Sequence, residues 1–273
     1  MVIDMSLNKN ELHRNLKQKF YFQVPFPMEH AILEDAITAF FKFLEEPDEV
    51  KTYIDFSIAP SHRRGEIGFR HRNPDDDIYN DSKDFFHFHP AIFEKYDQFL
   101  EENLVVQDFC NKAYTIWNLV YDTTHNILNI LDQDYPGTLT KIFDTSCPHI
   151  ALRFLKYNWQ KSGKYLAKPH FDAGSFTLTI TESCPGLRIG SGPENLQPVE
   201  HKDRHAVFMI SSNFKKVMNT NEFSPGWHDV IQLDETLIGK PFARWAIVAF
   251  IEAHGVEALP RSETHKYYKE LSS

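Results

Sequence analysis

His170-Phe171-Asp172 places an imidazole and a carboxylate two residues apart, the first pairing in this 273-residue chain that could do chemistry. At the end of a β-strand, residues two apart face the same way, so the two side chains can share one metal ion. One further histidine would complete the two-His, one-carboxylate facial set that leaves open positions on Fe(II). The spacing alone is cheap, because His201-Lys202-Asp203 repeats it. Context separates the two motifs. Asp172 is followed by a turn, Ala173-Gly174-Ser175, and by the strand-like Phe176-Thr177-Leu178-Thr179-Ile180. Asp203 lies in the charged run Glu200 to His205, which reads as an exposed loop. His87 and His89 make another same-face pair just before Pro90, and are expected to be structural or substrate-loop residues rather than ligands.

The elements that must position such a site differ between the two halves of the chain. From about Met28 to Tyr135 the pattern is helical. Ala31, Ile32, Ala36, Ile37, Phe40, Phe41 and Phe43 recur at three- and four-residue spacing. A longer run from Val105 to Leu131 does the same and ends at Pro136-Gly137. Between them, Ile54 to Pro90 reads as irregular and polar, a long loop of the kind that carries function. From Ile150 onward the texture is short β segments: Ala151 to Tyr157, Ser175 to Ile180, Leu187 to Ile189, Ala206 to Ile210 and Arg244 to Ile251. Turn residues separate them, which suggests a barrel or jelly roll with the helices packed on one side.

The chain around His170 resembles a known family. His170-Phe171-Asp172-Ala173-Gly174-Ser175-Phe176-Thr177-Leu178 is similar to the H-x-D-A-G-x-x-T-L signature of the isopenicillin N synthase-like Fe(II)/2-oxoglutarate oxygenases. Leu152-Arg153-Phe154-Leu155-Lys156-Tyr157 resembles the family's L-R-x-x-x-Y strand, and Gly186-Leu187-Arg188-Ile189 its G-L-Q-V strand. Thr220-Asn221 with His228-Asp229-Val230 resembles T-N-G…H-R-V, and Arg244-Trp245-Ala246 the R-x-S strand. Asp84-Phe85-Phe86-His87 is similar to its D-x-K-E-x-F region. His228 follows Asp172 by 56 residues, as the family's distal histidine requires. These ordered matches cover about Ile150 to Phe250.

The resemblance implies an α+β chain with a mainly β core, a double-stranded β-helix (jelly roll) flanked by N-terminal helices. It implies Fe(II) on His170, Asp172 and His228, 2-oxoglutarate as co-substrate, and O2 as oxidant, with release of succinate and CO2. Arg244 would hold the distal carboxylate of 2-oxoglutarate, as a guanidinium fork suits a carboxylate. Tyr157 would add a hydrogen bond there, against the alternative of a tyrosine that only packs. The organisation expected is one oxygenase domain over 1–273: a helical region with substrate loops (1–149), the jelly-roll core (150–252) and a tail (253–273).

Three residues and one spacing depart from the family pattern. Ala246 replaces the serine of R-x-S, Asp229 the arginine after the distal histidine, and Glu222 the glycine of T-N-G. Arg244 follows His228 by 16 residues, which implies an inserted loop around Gln232 to Lys240. These departures bear on the co-substrate pocket and keep open a 2-oxoglutarate-independent oxidase, or a jelly-roll binding protein without turnover. His254 follows the last strand, with no strand and arginine after it, and is rejected as a distal ligand. For Arg244 the competing reading is a salt bridge with Glu252 or another acid. Arg63, Arg64, Arg70 and Arg72 form a solvated charged loop or line a pocket mouth that favours an anion.

Composition sets the outer limits. Lys plus Arg at 29 against Asp plus Glu at 38 gives a net charge of −9, so nucleic acid is not an expected partner. A hydrophobic fraction of 42% with 23 Phe supports a sizeable core. Cys110, Cys147 and Cys184 lie far apart without a C-x-x-C, and are expected to be buried, reduced thiols. Neither a signal peptide nor a membrane span is expected, the Asn80-Asp81-Ser82 sequon reads as chance, and the location expected is cytoplasmic. The expected partner is a small-molecule substrate, selected by the segments Ile54 to Pro90 and Gln232 to Lys240; oligomeric state has no signature in the sequence.

Overall fold

The computed structural model describes residues 7–58, 66–72, 82–145, 147–158, 165–232 and 241–257. Arg63 and Arg64, the first two residues of the sequon, the loop 233–240 and the tail from 258 lie outside the described residues.

In chain order the first elements are α1 (Lys9–Gln18), β1 (Tyr21–Pro25), α2 (His30–Leu44), α3 (Asp48–Lys51), β2 (Asp55–Ser57), β3 (Glu66–Arg72) and β4 (Lys83–Phe88). Three helices follow, α4 (Ala91–Lys95), α5 (Asp97–Glu102) and the 29-residue α6 (Leu104–Asp132), then the short α7 (Thr138–Ile142). The β core comprises β5 (Ile150–Tyr157), β6 (Tyr165–His170), β7 (Phe176–Glu182), β8 (Leu187–Gly190), β9 (Leu196–Pro198) and β10 (His205–Ile210). After α8 (Phe214–Met218) it closes with β11 (Trp227–Ile231) and β12 (Arg244–Ile251).

Among the described residues, the antiparallel-paired strands form two sheets. The larger has the order β1-β10-β7-β12-β5-β4-β3-β2, the smaller β6-β11-β8-β9. This is the expected jelly roll with two corrections. The described residues of the stretch Ile54 to Pro90 are not an irregular loop: β2, β3 and β4 extend the large sheet beyond β5, with Phe86 paired to Phe154 and Phe69 to Phe86. Nor is the N-terminal region purely helical, since β1 adds to the other edge against β10.

Strand alternation divides the large sheet into two working faces. Ile150, Leu152 and Phe154 of β5, Phe86 and Phe88 of β4, and Ile247, Ala249 and Ile251 of β12 all join one apolar cluster with α2 and α6. Phe154 lies 4.9 Å from Phe109 and 5.8 Å from Phe40, ring centre to ring centre, so the helices dock through interleaved aromatics. The alternate residues turn inward, between the sheets. Phe85, Leu155, Tyr157 and Met209 there meet Leu166, Ala167, Leu187 and Val230 of the small sheet in a second, smaller cluster.

Gly186 shows how tightly the small sheet is closed. A Cβ there would come within 2.4 Å of the Ile231 carbonyl, and the Ile231 N–H donates to the Gly186 carbonyl at 3.0 Å. Of the cysteines only Cys110 is buried; Cys147 and Cys184 are part-exposed because they sit in turns rather than in the helix core. Among the described residues no helix is long and apolar enough to cross a membrane.

Candidate functional site

His170 is the last residue of β6, and His228 lies directly opposite it on β11. Their rings are 4.3 Å apart, centre to centre. Asp172 is not on the strand, as the alternation argument expects, but two residues beyond its end. It reaches the histidines because backbone N–H groups of Ser212, Asn213 and Ser211 bond the carbonyls of Asp172, Gly174 and Ser175 at 2.9–3.0 Å. Gly174 leaves room in that turn for the buried Glu252 carboxylate, which a Cβ at 2.2 Å would displace. Asp172 Oδ1 then stands 3.8 Å from His170 Nε2 and 3.7 Å from His228 Nε2. The three donor atoms lie within 4.8 Å of one another.

The far side of every donor is tied down. Nδ1–H of His170 donates to the Lys168 carbonyl at 2.7 Å, and Nδ1–H of His228 to the Gly226 carbonyl at 3.0 Å. Both rings therefore present the Nε2 lone pair inward in their neutral form. The Thr177 hydroxyl donates to Asp172 Oδ2 at 2.6 Å and sits 3.0 Å from Ser211 Oγ, which orients Oδ1 toward the histidines. Such outer contacts are what a metal centre needs to fix its ligands, and the donor set fits a divalent first-row metal with open positions.

The cluster opens on a cavity of about 80 Å³ between the sheets, lined by Lys83, Arg153, Tyr157, Glu182 and Arg244 besides the three donors. Leu155, Leu187, Met209, Val230, Val248 and Phe250 supply its apolar wall. Register sets Lys83, Tyr157 and Arg244 in one row across β4, β5 and β12. Lys83 Nζ lies 5.5 Å from the Tyr157 ring centre.

Arg244 is buried, as a core-strand guanidinium should not be without an anion. Its anion is not Glu252 but Glu182, at the end of β7, whose carboxylate bonds Nη2 directly. Nε of Arg244 donates to the Cys184 carbonyl at 3.1 Å. Asp229, one of the three departures, faces Arg188 across β11 and β8 and forms a forked ion pair with it, with Nε at 2.8 Å from Oδ1. Asp229 is wholly buried and holds the small sheet rather than a ligand.

The remaining candidates lie elsewhere. His201-Lys202-Asp203 forms the turn before β10, as expected of a loop. His254 is 55% exposed and pairs with Asp144. Arg70 pairs with Asp55 on the β3 surface, the solvated alternative. His89 is a core residue: Nε2–H donates to the Pro148 carbonyl and Nδ1 accepts from the Ala91 N–H, each at 3.2 Å, and burial lowers its pKa to about 4. Arg153, Thr177, Glu182 and Lys83 carry no assignment from the sequence. Arg153 had a signal, since it shares the cavity-facing alternation of Leu155 and Tyr157; Glu182 and Lys83 had none.

The double-stranded β-helix is shared by solved structures of Fe(II)/2-oxoglutarate oxygenases. One is dioxygenase for auxin oxidation 1 from Arabidopsis thaliana in a 2-oxoglutarate binary complex, with a TM-score of 0.68 and 15% identity over 97% of this chain and 94% of that one. Another is a full-length Neurospora crassa protein in complex with alpha-KG, with a TM-score of 0.65 and 17% identity over 97% and 89%. A Caulobacter crescentus protein assigned to the 2OG-Fe(II) oxygenase family gives 0.62 and 14% over 97% and 94%. At such identities the likeness is one of fold. No protein-family model and no curated protein matches the chain.

Proposed function

We propose that this chain is a single-domain, non-haem Fe(II)- and 2-oxoglutarate-dependent oxygenase that hydroxylates or desaturates a small molecule. The observation that carries this reading is the convergence of His170 Nε2, His228 Nε2 and Asp172 Oδ1, with each opposite atom held by a fixed partner. When bound, Fe(II) with 2-oxoglutarate and O2 would supply oxidative decarboxylation to succinate and CO2, coupled to oxidation of a substrate C–H bond.

The chain's own residues do the rest. His170, Asp172 and His228 hold the metal and leave the cavity side open. Arg244 and Tyr157 receive the distal carboxylate of the co-substrate, with Lys83 as a further cation on the same row. The incoming carboxylate takes over the Arg244 fork from Glu182, or shares it. Leu155, Val230, Val248 and Phe250 keep water from the reacting centre. The Neurospora crassa protein is also solved in complex with alpha-KG and thymine, so the fold holds both a co-substrate and a second small molecule in that protein.

A second reading has one observation in its favour. Because Glu182 already satisfies Arg244, an Fe(II) oxidase on this fold could dispense with 2-oxoglutarate and draw its electrons from the substrate. Anaerobic titration of the metal-free protein with Fe(II) and then 2-oxoglutarate separates the two. A visible charge-transfer band that needs both additions, and is lost in Asp172→Ala and Arg244→Ala, is the expected result. Iron binding without the band selects the oxidase. Failure to bind iron would leave only a binding protein.

A further inference from the structure

Arg153 is held in the cavity wall in a way that the metal and co-substrate do not explain. Its guanidinium lies between two rings, 4.6 Å from the centre of Phe85 on β4 and 4.5 Å from that of Phe250 on β12. Nε donates to His87 Nε2 at 2.7 Å, and His87 Nδ1–H in turn donates to the Glu66 carbonyl at 2.7 Å. That chain keeps His87 neutral and fixes the Arg153 plane. A stacked guanidinium with its plane set in advance loses little freedom on binding a carboxylate. Arg153 stands four residues before Tyr157 on the same face of β5, away from the row that carries Arg244 and Lys83.

We infer that the prime substrate is a small, largely apolar carboxylic acid whose carboxylate docks on Arg153 between Phe85 and Phe250. The inference rests on the proposed active-site reading of the cavity and names the substrate class for it. Phe250 and Leu155, which line the adjoining cavity, suit a flat or aliphatic body, and the amide of the same acid should bind poorly because it cannot neutralise Arg153.

The test uses phenylacetate and phenylacetamide as matched probes, titrated calorimetrically into the Fe(II)- and 2-oxoglutarate-loaded protein without oxygen. Wild type should bind the acid at least about tenfold more tightly than the amide. Arg153→Gln should abolish that preference, and Arg153→Lys should keep part of it. The affinity for 2-oxoglutarate should change by less than about threefold in both, which a role in co-substrate binding would not allow. Equal binding of acid and amide by wild type overturns the inference without any variant, as does binding of neither. An acid preference that survives in Arg153→Gln overturns it too. The 2-oxoglutarate reading fails separately, by absence of the chelate band; an Arg153-dependent acid preference measured without that band would support the acid site alone.

Discussion

Thr177 does for Asp172 what the Lys168 and Gly226 carbonyls do for the histidines. Each ties down the atom opposite the donor. Thr177→Val keeps the shape and removes the hydroxyl, so Fe(II) affinity should fall by roughly 10- to 100-fold, read by anaerobic metal titration. An unchanged affinity would show that the turn alone orients Asp172. Glu182 acts in the opposite sense, since it competes for the guanidinium that the co-substrate needs. Glu182→Gln removes the competing charge while leaving a hydrogen-bonding group beside Arg244. The expected outcome is tighter 2-oxoglutarate binding, by about tenfold, followed through the chelate band. Weaker binding would mean that Glu182 positions Arg244 rather than screening it.

Strands β4, β5 and β12 are pressed between the helices and the cavity, and the site depends on how they are held there. Phe154 is fully buried on the helix side, against Phe109 and Phe40. Phe154→Ala should cost about 3–5 kcal/mol in urea unfolding, because α2 and α6 cannot collapse into the space. Metal affinity of the fraction that stays folded should change little, since the ligands sit on β6, β11 and the turn after β6. The junction between β4 and α4 carries a pH dependence. His89 titrates near 6.5 when unfolded but is held at about 4 in the fold, chiefly by burial. Between those values the unfolded chain binds a proton that the folded one does not. Stability is therefore complete above pH 6.5 and falls as pH drops toward 4, by roughly 3 kcal/mol. The unfolding free energy of His89→Leu, measured from about pH 7 to 4, should show a slope smaller by up to one proton; an unchanged slope would assign the effect to other groups.

One apolar cluster runs from Leu12 of α1 through α2, α6 and the large sheet to Ala253. The N-terminal helices have no separate core, so they and the jelly roll should unfold together. Far-UV circular dichroism and tryptophan fluorescence should give coincident transitions, with Trp227 reporting beside the site through its edge contact with Phe171 at 4.9 Å. Separate transitions would divide the chain into two domains. A metal that binds only the folded state should raise stability by about 2.7 kcal/mol at one hundred times its dissociation constant. Asp172→Ala should remove that increment.

Local patterns were enough to narrow the core to a barrel or jelly roll, a choice the resemblance then made, and to read the core strands β5, β7, β10 and β12 and the turn that carries Asp172. Alternation, β-branched and aromatic content, and Gly or Pro at turns are all visible within a few residues. His228 was legible only through its spacing in a resemblance, since nothing in Trp227-His228-Asp229 marks a ligand. Other features exist only in the packed molecule, because no window of sequence contains them. β4 is hard to read because its inward face carries Lys83 and His87 beside Phe85, while Asp84 lies on the other face beside Phe86 and Phe88, so the strand lacks an apolar–polar alternation. Glu182 and Arg244 are 62 positions apart, and Arg153 and His87 are 66 apart, yet each pair is in hydrogen-bond contact because β12, β7, β5 and β4 are neighbours in one sheet. A charge buried between sheets must find its partner in space, and strand order rather than sequence order supplies it.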